Sequence, residues 1–398
     1  MKVWHFLKMT FKIVFIMGVA LSVQGCRSSR PSSEVAPSFD RGALLASVGS
    51  CAVDIYARFE SEMGALEKAA VVARDTPTPT NRTAVQSAFV RAFDIWQEAE
   101  VSQFGPLGPT AQSGGSGLRE AFYGWPVDGR CLVDQNLASK AYVDAATFAD
   151  GSLPQGRDLA ALEYLLFFEG PEHACSPTSA LAKSGAWATM TAADREARRA
   201  DYAAKVAASL EGRAKGLVAT WNNGFLATLR NAGHAGSPYP NTRVALDAVL
   251  EALFYVDYVT KDRKVGTPLG VIADSACSAG PCPDLVEARL SLSSRRSLRQ
   301  NLVAFRKLWH GCDAVGFDDF LTAAGAGSLS AEVDVTTDAA IAAIDALGRP
   351  TLETALVEDR PAVTRVFEAL RALSDVLKTD VASTLRLDLP ARVSGDAD

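Results

Sequence analysis

The sequence predicts an all-α protein built as two helical bundles. Apolar residues recur every three or four positions along almost the whole chain, the signature of helices with one buried face. Alternating apolar and polar runs, which would mark strands, are scarce. The helical stretches are separated by clusters of glycine and proline, which end helices because glycine takes up positive φ freely and proline lacks the N–H donor.

Taken in order, the first stripe is Leu44, Val48, Cys51, Ile55 and Phe59, and the second is Val85, Phe89, Phe93 and Trp96, with Thr76-Pro77-Thr78-Pro79 between them. After breaks at 105–109 and 114–117 come Leu159, Leu162 and Leu166, and after a Pro-rich loop at 171–177 a long stripe at Tyr202, Val206, Leu210, Leu217, Trp221 and Phe225. Beyond the loop at 233–240 lie Val249, Leu253 and Val256. Past the Gly/Pro stretch at 266–283 lie Leu298, Leu302, Phe305 and Trp309, and then Val366, Leu370, Leu373 and Leu377. Asp318, after Gly316-Phe317, is typed as a helix N-cap. The natural division places one bundle at 39–191 and the second at 192–398, opening with the long helix near Ala192.

The N-terminus is a targeting segment rather than fold. Lys2, Lys8 and Lys12 precede an uncharged apolar run at 13–23, which has the length of a secretory h-region and is too short to cross a bilayer as a helix. Val23-Gln24-Gly25-Cys26 resembles the lipobox of bacterial lipoprotein precursors, so residues 1–25 read as a lipoprotein signal peptide and Cys26 as the lipidated residue that tethers the chain to a membrane. Arg27 is not the aspartate that retains many such proteins at the inner membrane, which favours a periplasm-facing place at the outer membrane. The segment 26–38 is polar and rich in Pro and Ser, and reads as a flexible tether.

The chain holds 40 basic and 46 acidic residues, and the leader takes three of the basic ones, so the remainder carries about −9. That balance argues against nucleic acid as a partner. With Cys26 set aside, six cysteines remain, an even number that reads as up to three disulfides in an exported chain. Cys277 and Cys282 are close enough for a local bridge. Cys51, Cys131, Cys175 and Cys312 allow three pairings, and the spacing does not choose among them.

Five stretches resemble blocks of the imelysin family: 96–108 (WQEAEVSQFGPLG), 125–128 (WPVD), 160–167 (AALEYLLF), 264–270 (KVGTPLG) and 309–321 (WHGCDAVGFDDFL). The ending 395–398 (GDAD) is also similar to one common there. The resemblance runs in order over nearly all of 39–390. It implies two four-helix-bundle-like halves packed together, an exported and often lipid-anchored protein, and an association with iron or haem acquisition and its transport components. It also implies a peptidase activity, the one for which the family was first described.

The family's site carries G-x-H-x-x-E on one helical face. Here Glu163 matches the glutamate, Ala160 stands at the histidine and Asp158 at the glycine. An imidazole three residues before a carboxylate can share a metal or trade a proton with it, and alanine can do neither. The leading expectation is therefore a non-enzymatic protein that binds a ligand, iron or haem by resemblance, or a partner in a cleft between the bundles. A metal-dependent peptidase is the alternative, and it needs His173 or His310 to stand in for the missing histidine beside Glu163. A third reading is a docking lipoprotein without a small ligand.

Glu163 shares a face with Leu159 and Phe167, so it is either a ligand or acid at a cavity or a structural glutamate paired with an arginine. Arg119, Arg295, Arg296 and Arg299 are the candidate partners, and the last three form a group able to hold an anionic ligand or to line a salt-bridged face. Trp96, Glu100, Trp125 and Asp128 are pocket candidates from the family-like blocks, although aromatic stripes are more often core. Glu169, Glu172, His173 and Cys175 cluster in one loop, where a disulfide at Cys175 competes with metal binding.

Overall fold

The computed structural model describes residues 39–144, 148, 153–274, 276–277 and 279–390. The leader, Cys26, the tether and the terminal 395–398 lie outside the described residues. The helices form where the apolar stripes place them. α1 (Arg41–Asp75) starts at Asp40, whose carboxylate accepts the Ala43 N–H, and buries Leu44, Val48, Cys51, Ile55, Tyr56 and Phe59. α2 (Pro79–Ala99) begins after the Thr78 cap with proline at its first position, where no helical donor is lost. Short helices α3 (Arg119–Phe122) and α4 (Arg130–Ser139) lead to α5 (Leu159–Phe167) and α6 (Ala180–Ser184). α7 (Ala192–Thr220) opens on a capping box between Thr191 and Asp194 and runs through a wide π-helical turn, Trp221–Phe225, into α8 (Leu226–Arg230).

α9 (Thr242–Leu253) passes into a long π-helical stretch, Val256–Gly266, and the short α10 (Thr267–Leu269). α11 (Ser294–Trp309), α12 (Phe317–Ala323), α13 (Gly327–Asp345), α14 (Leu352–Glu358), α15 (Arg360–Val376) and α16 (Ala382–Leu385) complete the chain. The only β pairing among the described residues is an isolated bridge between Asp274 and Cys277. No helix among them is long and apolar enough to cross a membrane.

α1, α2, α5 and α7 pack together as one bundle, and Val256–Gly266, α11, α13 and α15 as another. α11 also packs on α2 and α1, so the two share a core, and the described residues from Phe39 onward form one compact unit. The helix from Ala192, expected to open the second half, instead lies along α1 and α5 in the first. Its stripe of Tyr202, Val206, Leu210 and Leu217 is buried as expected; periodicity tells which face is covered but not by what. Asp318 is not the N-cap of α12. Gly316 holds that position, its N–H donates to Asp319, and Asp318 bonds His310.

Three disulfides staple the fold. Cys277–Cys282 is the expected local bridge, and the open pairings resolve as Cys51–Cys312 and Cys131–Cys175. The Cys51–Cys312 bridge ties α1 to the turn after α11 across 261 residues.

Candidate functional site

The turn after α2 brings the candidate site together. Gly105 has φ +60°, and a Cβ there would lie 2.3 Å from the Phe225 ring, so only glycine lets the chain turn under α7. The turn holds Glu100 at the end of α2 and sends the chain on to Arg119, Tyr123 and Trp125. Glu100 is fully buried. Arg119 grips one of its carboxylate oxygens through Nε at 3.0 Å and an Nη at 2.6 Å, and the Tyr255 hydroxyl donates to the other at 2.7 Å. Burial pulls the Arg119 guanidinium down, but the Glu100 carboxylate beside it more than offsets that and holds it above its ordinary range.

Lys264 comes from the π-helical stretch and is 1% exposed. Its ammonium donates to the side-chain oxygens of Gln97 and Asn301, the latter at 3.1 Å, and lies 3.0 Å from Glu287 Oε2 and 3.7 Å from Glu100 Oε2. Asn301 on α11 also donates to the Gln97 carbonyl oxygen at 2.8 Å, and the Gln97 amide donates to Glu287 at 3.2 Å. The result is an oxygen cage whose cation is the protein's own ammonium. Burial pushes Glu287 up, and Lys264 opposes the shift.

Glu163 projects toward the same region from α5. Its Oε1 accepts both the backbone N–H of Ser291 at 2.8 Å and the Ser291 hydroxyl at 2.7 Å. Burial nevertheless raises its pKa to about 6. Tyr123 is raised well above its ordinary value by burial and by the three carboxylates Glu287, Glu163 and Glu100. These carboxylates thus form one electrostatic neighbourhood, with Arg119 and Lys264 as its cations.

Asp158, at the family's glycine position, caps α5. Its carboxylate accepts the Ala161 N–H at 2.8 Å and the Gly124 N–H at 2.7 Å, and burial lifts it to about 6. Trp125 is half-buried, with its carbonyl oxygen taken by Arg119 and its ring 6.0 Å from the Lys264 ammonium.

Other candidates fall elsewhere. Arg119 pairs with Glu100 rather than Glu163. Arg295 donates to the carbonyl oxygens of Ile344 and Asp345, Arg296 pairs with Asp94 and Arg299 with Asp345, so this group ties α11 to α13 and α2 instead of reaching Glu163. Asp128 is exposed and pairs with Arg130. Trp96 is core, packed on Phe59, Phe122 and Tyr123. His310 is held between Asp318 at 2.7 Å and Asp334 at 2.8 Å, and His173 packs edge-on against Trp187. Neither is bonded to Glu163, so the stand-in histidine of the peptidase alternative is not at that position. Among the described residues no three His, Cys, Asp or Glu side chains are grouped to hold a metal ion.

Sequence reasoning did not single out Gln97, Tyr123, Tyr255, Lys264, Glu287, Ser291 or Asn301. Gln97 and Lys264 lie inside family-like blocks and were findable there as polar residues at helix positions otherwise apolar. Glu287 and Ser291 sit in an irregular segment with no periodicity to flag them.

No curated protein sequence matches the chain. Among the crystal structures that share its fold, two align over most of their length. One is a protein named as an iron-regulated protein A precursor from Parabacteroides distasonis, with a TM-score of 0.66, 19% identity, and coverage of 89% of this chain and 97% of the other. The second is an imelysin-like protein from Psychrobacter arcticum, with a TM-score of 0.66, 14% identity, and coverage of 88% and 98%. The imelysin family model matches residues 52–379, a span that takes in the helices carrying Glu100, Glu163, Lys264 and Asn301, and the chain therefore belongs to the imelysin family.

Proposed function

We propose that this imelysin-family chain is a lipid-anchored protein of the cell envelope that binds a ligand or partner in support of iron or haem acquisition, with the Glu100–Glu163–Glu287 neighbourhood as its functional centre. The observation that carries the reading is the cluster itself. Glu100 and Glu287 face Arg119 and Lys264 where α2, α11 and the π-helical stretch converge, and the buried Glu163 of α5, bonded to Ser291, is near enough to Glu287 to feel its charge. Such an arrangement costs stability relative to an apolar core, and the place of Glu100, Glu163 and Lys264 in the family-like blocks argues for a role beyond folding. The excess negative charge favours a cationic or iron-bearing ligand. The iron element is supported by the name of the Parabacteroides protein, an iron-regulated protein A precursor, and by the family.

The test is metal and haem content of the protein purified from its own envelope, followed by calorimetry of Fe(II), Fe(III), zinc and haem on wild type and Glu163→Ala. The expected result is that iron or haem binds and that the variant loses most of that binding. A wild type that binds neither would overturn the reading in its direct form. The anchor is tested by metabolic labelling with palmitate, which Cys26→Ala should abolish together with membrane fractionation.

A further inference from the structure

A cleft of about 530 Å³ opens in the first bundle where α1 runs out and α7 begins. Glu163 does not line it. The volume suits a drug-sized molecule. Its apolar wall comes from Ala70, Val85, Leu165, Leu166 and Ala203. Four arginines, Arg74, Arg82, Arg195 and Arg199, line it against two glutamates, Glu169 and Glu196, in a chain whose net charge is −6.

Three of the four arginines are engaged in ways that explain them. Arg82 pairs with Glu196 and, at 3.7 Å, with Glu169. Arg74 pairs with Asp75 at 2.8 Å, and Arg195 donates to the Met190 carbonyl oxygen while lying over Trp187. Arg199 differs. It is 9% exposed, and among the described residues no carboxylate lies within ion-pair distance of it. Its guanidinium donates to the carbonyl oxygens of Phe168 at 2.6 Å and Gly170 at 3.5 Å and lies over the Phe168 ring at 5.0 Å. A buried charge is ordinarily paired, because desolvating it alone is costly. Here the carbonyl oxygens take two N–H groups of a fork that has five, and the charge is offset only at a distance, by Asp134 and Glu172, while burial still holds the guanidinium below its ordinary range. The start of α7, Ala192 and Ala193, lines the same cleft and adds the positive end of a 29-residue helix.

We propose that this cleft binds an organic anion with an apolar body, its acidic group on Arg199 and its body against the wall formed by Val85, Leu165 and Leu166. The site is separate from the carboxylate neighbourhood and does not depend on the function proposed for it.

The experiment is calorimetry on the full mature chain with decanoate, kept below its micellar concentration, and with uncharged decan-1-ol as the control. Wild type should bind one decanoate, and Arg199→Gln should weaken it by about tenfold or more, since a charge-assisted bond is lost. Decan-1-ol should bind weakly and be indifferent to that change. Ala200→Leu, which fills the cleft from α7 without touching a charge, should abolish decanoate binding while leaving the urea midpoint unchanged. This keeps the test open if Arg199→Gln fails to fold. Glu163→Ala should bind decanoate as wild type does, even if it loses iron or haem. No decanoate binding to wild type, equal affinity in Arg199→Gln, or unchanged binding in Ala200→Leu would each overturn the proposal.

Discussion

At the scale of single residues, Lys264 and Glu287 depend on each other. Both are buried, and the ammonium is the cation closest to that carboxylate, at 3.0 Å. Lys264→Met strands Glu287 in a desolvated place and should cost about 3–5 kcal/mol, whereas Lys264→Met with Glu287→Gln should recover a large part of the loss. Urea unfolding of the two single variants and the double measures the coupling, and additive losses would mean the pair is not a unit. Glu163 makes a different prediction, set by its raised pKa of about 6. The unfolded carboxyl gives up its proton near 4.5, while the native one keeps it to about 6. The native state therefore binds more protons in that window, and stability falls as pH rises through it. Glu163→Gln can still accept from Ser291 and lacks this drop, so it should gain on wild type by up to about 2 kcal/mol between pH 4.5 and 7. Asp158 titrates in the same range in both proteins and cancels in the comparison. Parallel stability–pH curves would remove the basis for a desolvated Glu163.

At the scale of elements, the helices were legible because each needs only a stripe and a stop, and both are written locally. Asp40, Thr78, Thr191 and the Gly/Pro clusters end or start helices where their chemistry requires. Asp158 was legible only as a departure from a motif, and the structure gives its physical meaning, a cap that also holds Gly124. The arginines on α11 were legible as a charged face but not as ties to α13, because a side chain's partner on another helix depends on packing. Pairing of Cys51, Cys131, Cys175 and Cys312 was closed to sequence for the same reason, whereas the local Cys277–Cys282 bridge was legible from spacing alone. The bridges now predict their own ranking. On the chain-entropy account the loss grows with loop length, so replacing both cysteines by alanine should cost roughly 5 kcal/mol for Cys51–Cys312, 4 for Cys131–Cys175 and 2 for Cys277–Cys282. Urea midpoints of the three double variants, each with the other bridges formed, test the order. If loss of the Cys277–Cys282 bridge proved the most damaging, loop entropy would not govern these staples.

At the scale of the whole molecule, two bundles were legible and their boundary was not. A helical stripe specifies a buried face, and the stripe of α7 is equally consistent with either half until α1 is seen lying against it. The chain passes from one bundle to the other through the exposed loop at 233–236, yet three things cross that loop. α11 packs on α1 and α2, the Cys51–Cys312 bridge spans it, and Lys264 reaches back to Gln97 and Glu100. A shared core and a buried ion network make separate unfolding of the halves unfavourable, because opening either would expose Gln97, Glu100 and Glu287 without their partners. A site-specific protease sequence inserted between Ala235 and Gly236 provides the test. The cleaved protein should run as one species on gel filtration, as one band on an unreduced denaturing gel and as two after reduction, and should unfold in one calorimetric transition near that of the intact chain. Lys264→Met in the cleaved protein should lower that transition as a whole, since the residue serves both bundles. Two resolved transitions, with only the later one sensitive to Lys264, would mean that the bundles are thermodynamically independent and that the network belongs to one of them.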